Sequence, residues 1–147
     1  MLIVTVLRSK AGEGVGAVVT VSPDSTVREL LDTLAEHRIG AVVVESDLGL
    51  VGIVSERDVV RHLRASGATI LDRPVSRIMT ADVVTTRPHA AVEEVMATMT
   101  DRRIRHLPVL DDAGALVGIV SIGDIVKSRI SELESERDDL VGYIGAR

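Results

Sequence analysis

The 147-residue sequence contains no cysteine, phenylalanine or tryptophan, and Tyr143 is its single tyrosine. Without cysteine there can be no disulfide, no thiolate metal ligand and no cysteine nucleophile. Single-stranded nucleic acids bind by stacking on aromatic side chains, and a formal net charge of -5 does not favour binding of a polyanion. We therefore expect no nucleic-acid partner, and any flat ring that the protein binds must lie between aliphatic side chains.

Long apolar runs are also missing. No run approaches the ~20 residues of a membrane span, and the apolar segment Met1 to Leu7 is short and has no signal-peptide cleavage region. The four histidines share no metal-ligand spacing, and the glycine cluster Gly12 to Gly16 lacks the strand-to-helix context of a dinucleotide site. We expect a cytoplasmic protein with no membrane contact, no metal site and no catalytic activity.

An internal repeat dominates what the sequence does contain. Leu50 to Asp58 reads LVGIVSERD, and Leu116 to Asp124 reads LVGIVSIGD. Each copy is too short to bury much surface on its own, so the two copies should fold against each other. The alignment divides the chain into a first repeat with its lead-in segment (1–65), a linker (66–73), a second repeat (74–130) and an acidic C-terminal helix (131–147).

Each copy is predicted to form strand, helix, strand, strand and helix. Runs rich in β-branched residues predict strands over 18–21, 41–44 and 50–54 in the first copy, and over 83–86, 107–110 and 116–120 in the second. Apolar residues at helical spacing predict helices that begin near Val27 and Val92. Thr26 and Glu29 predict a capping box, which the second copy loses because Ala91 replaces the threonine.

A short lead-in segment precedes each copy. Its matching apolar residues are Val4 and Leu7 in the first copy, and Val75 and Ile78 in the second. We predict that the lead-in is helical, although the β-branched residues at 3–6 would also allow a strand.

Both copies end in Gly-Ile-Val-Ser-x-x-Asp, and the second also contains the segments Pro74 to Thr80 and Ile104 to Val109. With this duplication, the chain resembles a stand-alone tandem CBS-domain pair, also called a Bateman module. The resemblance implies an α/β fold of two β-α-β-β-α repeats with pseudo-twofold symmetry, here with a C-terminal helical extension. It also implies clefts for an adenosine-containing ligand (AMP, ADP, ATP or S-adenosylmethionine), no other cofactor, a homodimer, and a regulatory output through a separate, unknown protein partner.

Ribose contacts are predicted at the Ser-x-x-Asp ends, from Ser55 and Asp58 in the first copy and from Ser121 and Asp124 in the second. A carboxylate at a helix entrance can accept hydrogen bonds from both ribose hydroxyls, and the resemblance favours this role. The same residues also fit a capping box that needs no ligand.

Phosphate contacts are predicted for Arg105 and His106, and a further one for Arg57. A guanidinium binds phosphate oxygens in a fork, and an imidazole can donate a hydrogen bond. The alternatives are a solvated charge for each arginine and a core position for His106. Because the first copy lacks the Arg-His pair, we predict one principal site, centred on Asp124.

Aliphatic strand residues are the candidates for the base pocket, although such residues usually belong to the core. They are Val18, Val19, Val83, Val84 and Ile104.

The C-terminal segment carries a heptad-like seam, whose members are Val126, Ile130, Leu133, Arg137, Leu140 and Ile144. One interpretation is a helix that packs on its own subunit and presents an acidic face to solvent. The other is an arm for dimerisation or partner docking. The corresponding alternative to a ligand sensor is a structural dimerisation or interaction protein with vestigial ligand clefts.

Overall fold

The structure, a computed structural model, describes residues 1–12 and 18–145. Most of the glycine cluster Gly12 to Gly16 therefore lies outside the described residues. The elements are α1 (Ile3–Gly12), β1 (Thr20–Val21), α2 (Val27–His37), β2 (Ala41–Ser46), β3 (Gly49–Ser55), α3 (Glu56–Ser66), two 3-10 segments (Gly67–Asp72 and Val75–Arg77), α4 (Val92–Arg102), β4 (His106–Leu110), β5 (Leu116–Ser121) and α5 (Ile122–Gly145).

Each repeat builds a small sheet. In the first repeat β1 lies parallel to β2, which pairs antiparallel with β3; in the second, β4 pairs antiparallel with β5. The middle strand β2 is apolar and buried: Val42, Val43 and Val44 are at most 1% exposed, and Val42 and Val44 pack in one core with the buried residues of α2. The predicted α/β architecture is confirmed.

The strand predicted over 83–86 is wrong in extent, since only Thr86 forms a bridge, to Val109. The Thr86 amide donates to the carbonyl of Pro108 at 2.9 Å, and its carbonyl accepts from the amide of Leu110 at 3.0 Å. The next bond of a parallel ladder would need an N–H at Pro108, which proline does not have. The ladder therefore stops, and Val84 remains outside the sheet.

The two lead-in segments are exchanged between the repeats. Helix α1 precedes the first repeat, yet its buried residues Ile3 and Val6 pack in the core of the second repeat. Val75 and Ile78, in the lead-in at the start of the second repeat, pack in the core of the first. The predicted helical lead-in is confirmed for α1, but its most buried residues are Ile3 and Val6 rather than Val4 and Leu7.

The ends of α2 and α4, the first helix of each strand-helix-strand-strand-helix repeat, agree with the sequence. The capping box of Thr26 and Glu29 at the start of α2 is confirmed. At the start of α4, Ala91 provides no side-chain cap. Both helices end at an arginine with left-handed backbone, Arg38 with φ 53° and Arg103 with φ 54°.

Helix α5 is continuous from the second repeat through 145. It contacts α1, α4 and β5 near its start, and Ile125 is its only buried residue among those described. Farther along, Ile130, Leu133 and Leu140 are 52%, 52% and 64% exposed. Within the described ranges, no helix has the length and apolar character needed to cross a membrane.

Candidate functional site

Both Ser-x-x-Asp ends form capping boxes, at the starts of α3 and α5. The Ser55 amide donates to Asp58 Oδ2 at 2.8 Å, and the Asp58 amide donates to Ser55 Oγ at 3.4 Å. The corresponding distances between Ser121 and Asp124 are 2.9 and 3.1 Å. The helix-capping interpretation of these residues is therefore confirmed, and it leaves Oδ1 of each carboxylate outside the cap.

A cavity of about 560 Å³ opens beside Asp58, between the two repeats. This volume is in the range of small-molecule sites, about 300–1,000 Å³. Its lining comes from β2, β3 and α3 of the first repeat and from the segments around α4 and β4 of the second: Gly40, Ala41, Ile53, Ser55, Glu56, Arg57, Asp58, Arg61, Thr80, Asp82, Val83, Val84, Arg102, Arg103, Ile104, Arg105 and His106.

Positive charge prevails around this cavity, although the chain as a whole is acidic. Five arginines line it, against three carboxylates: Arg57, Arg61, Arg102, Arg103 and Arg105 against Glu56, Asp58 and Asp82. The Asp58 side chain is 15% exposed, and its Oδ1 lies 4.0 Å from Arg61 Nη1. One wall is aliphatic, from Val83, Val84 and Ile104. The cavity thus combines an apolar slot, a carboxylate and several guanidinium groups.

The environment of Asp124 is different, because Lys10 of α1 lies against it. Lys10 Nζ is 2.9 Å from Asp124 Oδ2 and donates a second hydrogen bond to the carbonyl of Ile119 at 3.3 Å. The two side chains are 25% and 23% exposed. Burial alone would raise the pKa of Asp124, but the hydrogen bonds from Lys10 and Ser121, with the charge of Lys10, hold it below its ordinary value. The cavity here is only about 100 Å³.

His106 lies between these two environments. A Cβ at Gly40, in the wall of the large cavity, would be 3.7 Å from His106 Cε1. Burial lowers the pKa of His106; the charges of Lys10 and Arg105 lower it further, while those of Asp124 and Glu56 raise it. At neutral pH the imidazole is therefore uncharged and can donate one hydrogen bond and accept another.

The structure brings together most of the residues predicted from the sequence, but in a different grouping. Eight of them line the large cavity: Ser55, Arg57, Asp58, Val83, Val84, Ile104, Arg105 and His106. Ser121 and Asp124 lie at the other cleft, and Val19 packs against the first core; neither Val18 nor Val19 is among the residues that line the large cavity. Arg105 and His106, predicted to serve Asp124, thus line the cavity of Asp58.

Sequence reasoning missed several cavity residues, among them Arg61, Arg102, Arg103 and Asp82. Arg61 follows Asp58 by three residues on α3, so helical spacing could have identified it. Arg102 and Arg103 belong to the left-handed turn that ends α4. The repeat itself offers a signal for that turn, because Arg38 and Arg103 align and share this conformation.

Comparison with known proteins agrees with this architecture. The family model for the CBS domain matches residues 15–65 and 75–131. The chain belongs to the CBS domain family. A CBS-domain containing protein from Agrobacterium tumefaciens has a similar crystal structure, with a TM-score of 0.80 and 42% sequence identity over 87% of this chain and 92% of that one.

Two similar CBS structures contain adenosine compounds. A CBS domain protein from Pyrobaculum aerophilum, complexed with AMP, has a TM-score of 0.73 and 28% identity over 84% of this chain and 89% of that one. The CBS domain pair of protein MJ0100, in complex with 5′-methylthioadenosine and S-adenosyl-L-methionine, has a TM-score of 0.77 and 25% identity over 90% of this chain and 98% of that one. In this CBS pair, the described residues include no group of three or more His, Asp and Glu side chains arranged to hold a metal ion.

Proposed function

We propose that this CBS pair is a non-catalytic regulatory module that binds an adenine nucleotide in the cavity beside Asp58. The observation that carries the proposal is the composition of that cavity, in which five arginines, one carboxylate at a helix start and an aliphatic wall surround about 560 Å³. The adenosine compounds bound by similar CBS structures support the same class of ligand.

Each part of a nucleotide has a chemical counterpart in this cavity. The Oδ1 atom of Asp58 is the acceptor that we assign to the ribose hydroxyls, since Oδ2 is used by the capping box. Val83, Val84 and Ile104 supply an apolar slot for the base. Arg57 and Arg105 supply donors for phosphate oxygens.

The charge of the cavity favours AMP, ADP or ATP over S-adenosylmethionine. S-adenosylmethionine carries a sulfonium, an ammonium and a single carboxylate, so its net charge is positive and it has no phosphate; the surplus of guanidinium groups therefore disfavours it relative to a nucleotide. Phosphates, in contrast, are the groups that arginine binds most specifically. We therefore expect S-adenosylmethionine to bind at least about tenfold more weakly than the best adenine nucleotide, a difference of about 1.4 kcal/mol.

Isothermal titration of nucleotide-stripped protein with AMP, ADP, ATP and S-adenosylmethionine tests the proposal. Asp58→Asn should weaken nucleotide binding about tenfold or more, since hydrogen bonds to charged groups contribute about 1.5–3 kcal/mol. Asp124→Asn is the matched control, because it makes the same change in the same capping box of the other repeat. Absence of heat and of any thermal shift with all four compounds would refute ligand sensing.

Assembly through α5 is the second candidate function, and it also accounts for the expected homodimer. The exposed apolar side chains of the seam favour it: Ile130, Leu133, Leu140 and Ile144 are all more than half exposed. Arg137, the charged member of the seam, pairs with its neighbour Asp138 at 2.7 Å. Leu133→Glu with Leu140→Glu should convert a dimer to a monomer in analytical ultracentrifugation. An unchanged sedimentation coefficient would exclude this use of α5.

A further inference from the structure

The two lead-in segments occupy equivalent positions in the two halves of the molecule. The amide of Val92 donates to the carbonyl of Met1 at 3.1 Å, as that of Val27 donates to the carbonyl of Arg73 at 2.9 Å. Next along each segment, Ile3 and Val75 are both fully buried. The two segments therefore align from Met1 and Arg73 onward.

The alignment continues to the edge of each cleft. A Cβ at Gly118 would lie 2.8 Å from Leu7 Cδ2, and a Cβ at Gly52 would lie 2.5 Å from Met79 Sδ. Leu7 and Met79 are thus equivalent, each packed on the glycine of a β-strand. Beyond them the two segments differ in conformation: α1 continues as a helix to Gly12 and carries Lys10, whereas Thr80 forms a bridge with Ile53 and Asp82 lies in no helix or strand.

The two segments therefore bring side chains of opposite charge to the two clefts. Lys10 is hydrogen-bonded to Asp124, where the cavity is about 100 Å³. Asp82 lines the cavity of about 560 Å³ beside Asp58. An ammonium group can neutralise and cover a neighbouring carboxylate, whereas a second carboxylate cannot pair with it.

We propose that Lys10 is a built-in occupant of the second cleft: its ammonium, bonded to Asp124 Oδ2 and to the carbonyl of Ile119, neutralises the carboxylate and fills the space beside it, which closes that cleft to nucleotide. Each chain then binds one nucleotide, at Asp58. The inference rests on the proposed function, because it takes Asp58 as the ribose acceptor of the open cleft.

Lys10→Ala tests the inference, with Arg8→Ala as the matched control that removes one exposed positive charge from the same helix. Titration with AMP should give one site per chain in the wild-type protein and in Arg8→Ala. In Lys10→Ala it should give two, and adding Asp124→Asn should return the value to one.

The outcomes separate this inference from the proposed function. Two sites in the wild-type protein, or one site in both the wild-type protein and a folded Lys10→Ala, would overturn the role of Lys10 and leave nucleotide binding intact. If none of these proteins binds AMP, ADP or ATP, the proposed function fails and the inference fails with it. Lys10→Arg, which keeps the positive charge, should retain one site, and a second site in that variant would also contradict the inference.

Discussion

The ion pair between Lys10 and Asp124 should contribute measurably to stability, and Lys10→Met should expose that contribution. Lys10 Nζ lies 2.9 Å from Asp124 Oδ2 and 3.3 Å from the carbonyl of Ile119. Hydrogen bonds to charged groups contribute about 1.5–3 kcal/mol each. Because Asp124 keeps the amide of Ser121 as a donor and both side chains are about a quarter exposed, we expect a loss of about 1–2 kcal/mol in the free energy of unfolding at pH 7.

The size of this loss should depend on pH. The pKa of Asp124 in the folded protein lies below its ordinary value of 3.8, because the hydrogen bonds and charge of its partners outweigh burial. The unfolded chain therefore takes up the proton first as the pH falls, and the stabilisation is complete above about pH 4 and is lost at lower pH. Lys10→Met should thus cost less at pH 3 than at pH 7.

A double-mutant cycle of Lys10→Met and Asp124→Asn isolates the pair, with urea unfolding followed by far-UV circular dichroism at fixed protein concentration. Arg8→Met is the control for loss of a positive charge from α1, and it should change the free energy of unfolding by less than about 0.5 kcal/mol. A coupling energy at pH 7 within the additivity error of about 0.3–0.5 kcal/mol would refute the reasoning. So would a coupling energy that is the same at pH 3 and pH 7.

Three further predictions concern other parts of the molecule. Ala91→Thr should restore the missing capping box with Glu94 and raise the free energy of unfolding by about 0.5–2 kcal/mol, as thermal unfolding would detect; no gain would mean that the α4 start cannot adopt the α2 geometry. Gly52→Ala should lower it by about 1–3 kcal/mol, because the new Cβ would lie 2.5 Å from Met79 Sδ, and Met79→Ala should recover part of that loss in urea unfolding. In an NMR titration, His106 should show a pKa below 6.5, since burial disfavours its charged form; a midpoint above 6.5 would contradict that environment. The same shift means that the unfolded chain binds the proton first, so the contribution of His106 to the free energy of unfolding is lost as the pH falls below 6.5.

The internal repeat made much of the fold predictable. Strand and helix patterns appear twice, so each weak local signal has a second occurrence that supports it. The strand prediction was wrong at 83–86. The β-branched residues there favour a strand, but Pro108 on the neighbouring strand has no N–H to donate the next hydrogen bond between the two strands. Propensity within one segment does not contain that information, because it depends on the partner strand.

The grouping of the site residues was harder to predict than their identity. Alignment within one copy associates Arg105 with Asp124, since both belong to the second repeat. The structure instead brings Arg105 to the cavity of Asp58, because that cavity lies between repeats and takes its walls from both. Lys10 could not be identified at all, since it is 114 residues from Asp124 in the chain and nothing local marks it as a partner.

The exchanged lead-in segments have a consequence for synthesis on the ribosome. The first core contains residues from Val27 to Ile78 and can assemble once that stretch has left the ribosome. Ile3 and Val6 of α1 can complete their core only after strand β5 and the start of helix α5 have also been made. Chains grow at roughly 5–20 residues per second, so an amphipathic helix stays unpartnered for several seconds while the rest of the protein is made. Nascent chains stalled before β5 should therefore expose α1 to chaperones or proteases, and those released after α5 should protect it.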